Sequence, residues 1–138
     1  MIMRMSTIPL TGGCLCGAVR YRAEGAPMNA RCCHCINCQK FTGSPFYARV
    51  MFAREQLTIE GETRTFPSSE GVLRHSCPTC ASPVFSERPS ANAISVSFGT
   101  LDDPSLTAPT EHIWTSRKQP WLKLDDGLPC YPEGPPPT

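Results

Sequence analysis

The sequence predicts a mostly β fold, a single small domain of short antiparallel sheets organised around two zinc sites. Three observations point there. At 138 residues the chain is long enough for one modest core. Fifteen prolines and ten glycines cut it into short pieces, which disfavours long helices and favours short strands joined by turns. Seven of its nine cysteines fall in three tight clusters, the pattern of a chain that holds metal.

Along the chain, residues 18–23 alternate Val19 and Tyr21 against Arg20 and Arg22, as a half-exposed strand does. Residues 35–42 suit a single helical turn closed by Gly43-Ser44-Pro45. A metal site at the start of that turn would face backbone N–H groups, which favour thiolate charge. Residues 46–52 are an apolar run broken by Arg49 and fit a more buried strand. Leu57–Glu60, Val72–Ser76 and 84–86 are shorter strand candidates between turn residues. Residues 93–98 set Ile94, Val96 and Phe98 against Ser95 and Ser97, the clearest strand signal in the chain. Residues 87–91 and 101–109 read as loops.

The formal charge of +1 offers no basic run of the kind that neutralises phosphates, so no nucleic-acid partner is expected. Seven thiolates around two Zn²⁺ would take that charge to −2. No window approaches the ~18 apolar residues of a spanning helix, and no membrane partner is expected. The first residues, MIMRMSTIPLTGG, lack the apolar core of a secretory signal. A cytoplasmic location is the expectation, and in that reducing compartment cysteines serve metals or catalysis more often than disulfides. The ending CYPEGPPPT reads as a mobile, proline-rich tail. The division expected is therefore an N-terminal extension over 1–10, a zinc domain over 11–129 and the tail over 130–138.

The clusters are Cys14 and Cys16 in GGCLCGAV, Cys33, Cys35 and Cys38 in CCHCINC, and Cys77 and Cys80 in HSCPTCAS. On a strand, residues i and i+2 face one side about 6.6 Å apart, close enough for side chains to lean onto one metal. Two thiolates on a tetrahedral zinc lie a little under ~4 Å apart. The C-x₂-C spacing does the same in a tight turn. A structural zinc takes four ligands, commonly as two pairs from distant parts of the chain. Cys14 and Cys16 with Cys77 and Cys80 make such a set. Cys33, Cys35 and Cys38 remain for a second zinc with one coordination position left open, the mark of a catalytic ion. Disulfides and a single zinc with idle cysteines are the competing readings. His34, Cys32 or Cys130 could also close the second site, although strand alternation turns Cys32 and His34 away from Cys33 and Cys35. Cys32 and Cys130 otherwise read as small buried hydrophobes.

The segments GGCLCGAVRY, CCHCINCQKFTGS, HSCPTCASPVF, SFGTLDDP and HIWTSRKQPW resemble the glutathione-dependent formaldehyde-activating (GFA) family, whose domain also occurs in centromere protein V. The resemblance runs from about Thr11 to Pro129. It implies a β-tent-like fold, a structural zinc on Cys14, Cys16, Cys77 and Cys80, and a catalytic zinc on Cys33, Cys35 and Cys38. One departure is Ala81, which stands where the family often has glycine; a different turn is expected there.

The resemblance further implies a carbon–sulfur lyase of the S-(hydroxymethyl)glutathione synthase type, acting on a small thiol and an aldehyde. His34 is a candidate proton shuttle beside the ligands. His75 is expected near the four-cysteine site or at the surface. Arg49, Arg117 and Lys118 are candidate anchors for carboxylates, and Trp114 and Trp121 are expected in the core. The alternative function is a zinc-stabilised binding module, or a thiol or aldehyde carrier without turnover. An open fourth position at the second zinc favours the enzyme, and a protein ligand there favours the module. The oligomeric state is not readable from the sequence.

Overall fold

A computed structural model describes residues 9–134. Its strands form two sheets. In the smaller, β1 (Leu10–Gly13) and β5 (Leu57–Glu60) flank β2 (Arg20–Ala23), all antiparallel. The larger has seven strands. From one edge these are β10 (Glu111–Ile113), β3 (Asn29–Cys33), β4 (Tyr47–Ala53), β9 (Ala93–Ser97), β8 (Pro83–Arg88), β7 (Val72–Ser76) and β6 (Arg64–Ser69). Every pairing in it is antiparallel except β10 with β3. One short helix, α1 (Ile36–Thr42), follows β3. No helix among the described residues is long and apolar enough to cross a membrane.

Strand alternation gives the large sheet two different faces. Val50 and Phe52 on β4 and Ile94 and Val96 on β9 point one way and are fully buried. They join Leu10, Val19, Tyr21, Ala23 and Leu57 of the small sheet and its β1–β2 turn in one core cluster. Burying a side chain such as Phe52 contributes roughly 2–3 kcal/mol, so this cluster supplies the main force holding the two sheets together. The intervening residues, Tyr47, Arg49 and Met51 on β4 and Ser95 on β9, point the other way and line a cleft. Tyr47 is buried there with Cys33, Cys38 and Ile113 in a smaller cluster, against which Phe41 and Trp114 pack.

The strands expected within 18–23, 46–52, 84–86 and 93–98 are present with shifted ends, and Leu57–Glu60 and Val72–Ser76 as expected. The helical turn expected over 35–42 is α1, with Cys35 as its N-cap and Gly43 closing it at φ 65°. Several expectations are corrected. Glu87 and Arg88 continue β8 rather than starting a loop, because they pair with Ile94 and Ala93 of β9. Phe98 leaves β9 for a 3₁₀ turn. Trp121 is 65% exposed, not in the core. Cys130 is exposed, and it bridges to His112. Residues 130–133, expected in a mobile tail, are tied to the end of β10: Trp114 N–H donates to Glu133 O at 2.8 Å and Tyr131 N–H to His112 O at 2.9 Å. Leu10, placed in the extension, already belongs to β1. Residues 1–8 and 135–138, the rest of the expected extension and tail, lie outside the described residues.

Candidate metal centres

Two turns build the first centre. After β1, Cys14 N–H donates to Val19 O at 3.0 Å, and Val19 N–H points back to Cys14 Sγ at 3.2 Å. After β7, Cys77 N–H donates to Ser82 O at 2.9 Å, while the N–H groups of Thr79 and Cys80 lie 3.3 and 3.4 Å from Cys77 Sγ. N–H groups aimed at sulfur favour the thiolate. In both turns the residue after the second cysteine has positive φ: Gly17 at 85° and Ala81 at 67°. Ala81 thus does not change the turn as expected; it keeps the left-handed conformation despite its Cβ, at roughly 1–2 kcal/mol. The sulfurs of Cys14 and Cys16, and those of Cys16 and Cys77, are 3.7 Å apart. All four lie within 4.8 Å of one another. A tetrahedral ion with ~2.3 Å metal–sulfur bonds needs sulfurs a little under 4 Å apart, so this donor set fits one metal ion closely. The Ser82 hydroxyl, 3.1 Å from Cys80 Sγ, helps hold that thiol down to about 5.

The second centre is local. Cys33 ends β3, Cys35 caps α1, and Cys38 lies in its first turn, with its N–H 3.4 Å from Cys35 Sγ. The three sulfurs lie within 4.8 Å of one another, and among the described residues no fourth cysteine, histidine or carboxylate joins them. Hydrogen bonds from the neighbouring thiols of Cys33 and Cys38 pull Cys35 down to about 2, while its proximity to Cys35 and Cys38 pushes Cys33 far up. Arg74 Nη2 lies 3.7 Å from Cys38 Sγ, and its guanidinium sits 5.0 Å from the centre of the Phe41 ring.

This second centre opens on a cleft of about 350 Å³ along the outer face of the large sheet. Alternation explains the lining. Arg31 stands two residues before Cys33 on β3, Arg49 lies between Tyr47 and Met51 on one face of β4, and Arg74 and Arg88 follow Val72 and Ser86 by two. Of the anchors expected, Arg49 lines the cleft; Arg117 and Lys118 do not, and Lys118 Nζ donates to Leu122 O at 2.8 Å. Arg31, Arg74 and Arg88 were missed. Their signal was positional: each sits at the i±2 spacing from another residue of the same sheet face. Trp114 walls the cleft rather than filling the core alone.

Histidines take no direct part in this cleft. His34 is fully buried, and its Nε2 lies 2.9 Å from His112 Nδ1. His112 Nε2 in turn lies 2.8 Å from Asp126 Oδ2. Burial, and then the nearby His112, lower His34 to about 4, which keeps its ring neutral. It is absent from the cleft lining, because alternation past Cys33 turns it to the other side. The proton shuttle expected at His34 therefore has no contact with the cleft. Cys32, likewise turned away, is buried. His75 is held between Thr63 and Glu87 and stacks on Phe85 at 4.2 Å.

A family model described as "Glutathione-dependent formaldehyde-activating enzyme" matches residues 9–117. A Halomonas elongata protein described as "Putative glutathione-dependent formaldehyde-activating enzyme" is 28% identical over 127 residues, covering 84% of this chain and 81% of that protein. The crystal structure of a Rhodobacter sphaeroides protein superposes with a TM-score of 0.58 at 20% identity, over 88% of this chain and 98% of that one. At that identity the likeness speaks for the fold.

Proposed function

The chain belongs to the glutathione-dependent formaldehyde-activating family, and on that premise we propose that it adds a small thiol to formaldehyde or a related small aldehyde. The reaction is a carbon–sulfur bond formation of the lyase type, as in S-(hydroxymethyl)glutathione synthesis. The single observation that carries this reading is the three-sulfur centre at the wall of a cleft, with no fourth protein ligand among the described residues. A binding module would be expected to close that position with a side chain of its own.

Zinc is the ion assigned to both centres, because all-thiolate donor sets at tetrahedral spacing suit it. Cys14, Cys16, Cys77 and Cys80 would hold one ion, and Cys33, Cys35 and Cys38 the other. An ion held by Cys33, Cys35 and Cys38 would supply either a seat for the incoming sulfur as thiolate at neutral pH or a Lewis acid for the aldehyde oxygen. The chain's own residues do the rest. Arg74 donates toward Cys38 Sγ and so tempers the charge of the three thiolates. Tyr47, whose hydroxyl donates to Ser95 O and accepts from Ser86 Oγ, fixes the floor of the cleft. Across the reaction the sulfur–carbon bond forms, the carbonyl π bond opens, and one proton leaves sulfur and ends on oxygen. Water entering the cleft carries that proton, since no imidazole lines it. The cytoplasm, which keeps all seven thiols reduced, is the compartment this chemistry needs.

The test is the rate of hemithioacetal formation above the spontaneous background, with zinc-loaded protein, glutathione and several aldehydes. Acceleration is expected, and Cys35→Ser is expected to remove it while leaving a folded protein. No acceleration with any thiol would overturn the enzyme in favour of a carrier or binding module.

A further inference from the structure

Positive charge gathers beside the three-sulfur centre with no carboxylate in the cleft to balance it. Four arginines from four strands, Arg31, Arg49, Arg74 and Arg88, line the cleft, and no aspartate or glutamate lines it with them. Arg31 is paired with Glu111. Among the described residues no carboxylate pairs with the other three. Two of those three are buried: Arg49 is 8% exposed and Arg74 7%. Arg49 Nη1 has Asn29 Oδ1 at 3.1 Å, which occupies one of its five N–H groups. Arg31 and Arg49 also stand directly opposite each other across β3 and β4. Like charges so placed destabilise an antiparallel pair, and a buried charge is costly unless something acidic meets it. Burial accordingly pushes the Arg49 guanidinium down from its ordinary range.

We infer that the cleft recognises its thiol by anionic groups set against Arg49 and Arg88, Arg74 being taken up by Ser68, Ser86 and Cys38 Sγ, and discriminates against an ammonium group. The inference rests on the thiol-addition reading above and names the class of thiol. Guanidinium forks bind carboxylates through paired hydrogen bonds, and those of Arg49 and Arg88 line the space the co-substrate must share with the sulfurs. An ammonium in that space would meet guanidiniums and no acid, a like-charge contact that suppresses wrong partners. Affinity therefore rises with the negative charge a thiol carries away from its sulfur. Mercaptosuccinate leads such a series, 3-mercaptopropionate follows, glutathione with two carboxylates and one ammonium lies in the middle, and cysteamine comes last.

Calorimetric titration of the zinc-loaded protein at low salt tests this without relying on turnover. Succinate and aspartate separate anion recognition from capture of sulfur by metal, since they differ by one ammonium and neither has a thiol. Succinate is expected to bind about tenfold tighter than aspartate, a difference of ~1.4 kcal/mol. The thiols should rank as above. Arg49→Gln and the exposed Arg88→Glu should each weaken succinate about tenfold; if Arg49→Gln does not fold, Arg88→Glu decides. Equal binding of succinate and aspartate, or succinate binding untouched by Arg88→Glu, overturns the inference. Charge-ranked binding without acceleration of thiol addition would keep the inference and defeat the enzyme reading. Acceleration with no charge ranking would do the reverse.

Discussion

Cys16 and Cys77 are 61 residues apart in sequence and 3.7 Å apart at their sulfurs, whereas Cys33, Cys35 and Cys38 lie within one strand end and the first turn of α1. The donors are alike and the spans are not. Closing the long span costs about 2 kcal/mol more loop entropy than closing the short one, so an ion at the first centre does more to hold distant chain together. That centre ties the turn after β1 to the turn after β7. The second contributes little to closure, and its sulfurs face arginines and open space. On the proposed function, a shared ligand chemistry serves architecture at one centre and reactivity at the other. Chain span and the neighbouring face of the sheet decide which.

The largest effect should come from breaking the long-span centre. Structural zinc in peptides is worth roughly 10–16 kcal/mol, comparable to or above the ~5–15 kcal/mol net stability of a domain. Cys80→Ser is expected to leave a protein that does not fold cooperatively, read by circular dichroism and thermal melting. Cys35→Ser should keep a cooperative melt and lower its midpoint far less, while removing turnover. Equal losses of melting temperature in the two variants would mean that both ions are architectural.

Metal removal sharpens the same contrast. Elemental analysis should find up to two zinc ions per chain, and a mild chelator should take the ion at Cys33, Cys35 and Cys38 first, with the fold retained. Simultaneous release of both, with unfolding, would erase the distinction. A smaller effect is expected at Arg74, which ties Ser68, Ser86, Phe41 and Cys38 together. Arg74→Gln should cost about 1–3 kcal/mol in urea melts and weaken metal retention at the local centre only. The smallest is a gain: Ala81→Gly should relieve the left-handed strain beside Cys80 and raise stability by about 1 kcal/mol. No gain, or a loss, would show that chain entropy outweighs the strain there.

Much of this molecule could be read from residues alone, and the parts that could not share a cause. Ser95 and Ser97 alternating with Ile94 and Val96 gave away β9, and cysteine spacing gave away the two groups of sulfurs that could hold a metal ion. β1 stayed hidden because its LTGG has two glycines where side chains would mark alternation. They are needed for close approach: a Cβ on Gly12 would sit 2.3 Å from Thr100 O. β3 was masked by its own cysteines, which read as ligands before they read as strand. β6 is exposed at nearly every position and carries Pro67, so it has no apolar periodicity. β10 is only three residues long and pairs in parallel with a strand 80 residues away. The arginine-lined cleft required strand neighbours that only folding supplies, although the i±2 spacing of Arg31 from Cys33 was visible in the sequence.

The long span between the paired cysteines also sets an order of events during synthesis. At roughly 5–20 residues per second, about 3–12 s separate the appearance of Cys16 from that of Cys77. Through that interval Cys14 and Cys16 exist as a bare two-thiol chelate at the front of an unfinished chain. Cys33, Cys35 and Cys38 emerge together and can capture an ion at once. The three-cysteine centre is thus the first able to take up an ion, and the four-cysteine centre is complete only when Cys77 and Cys80, just past β7, have been made.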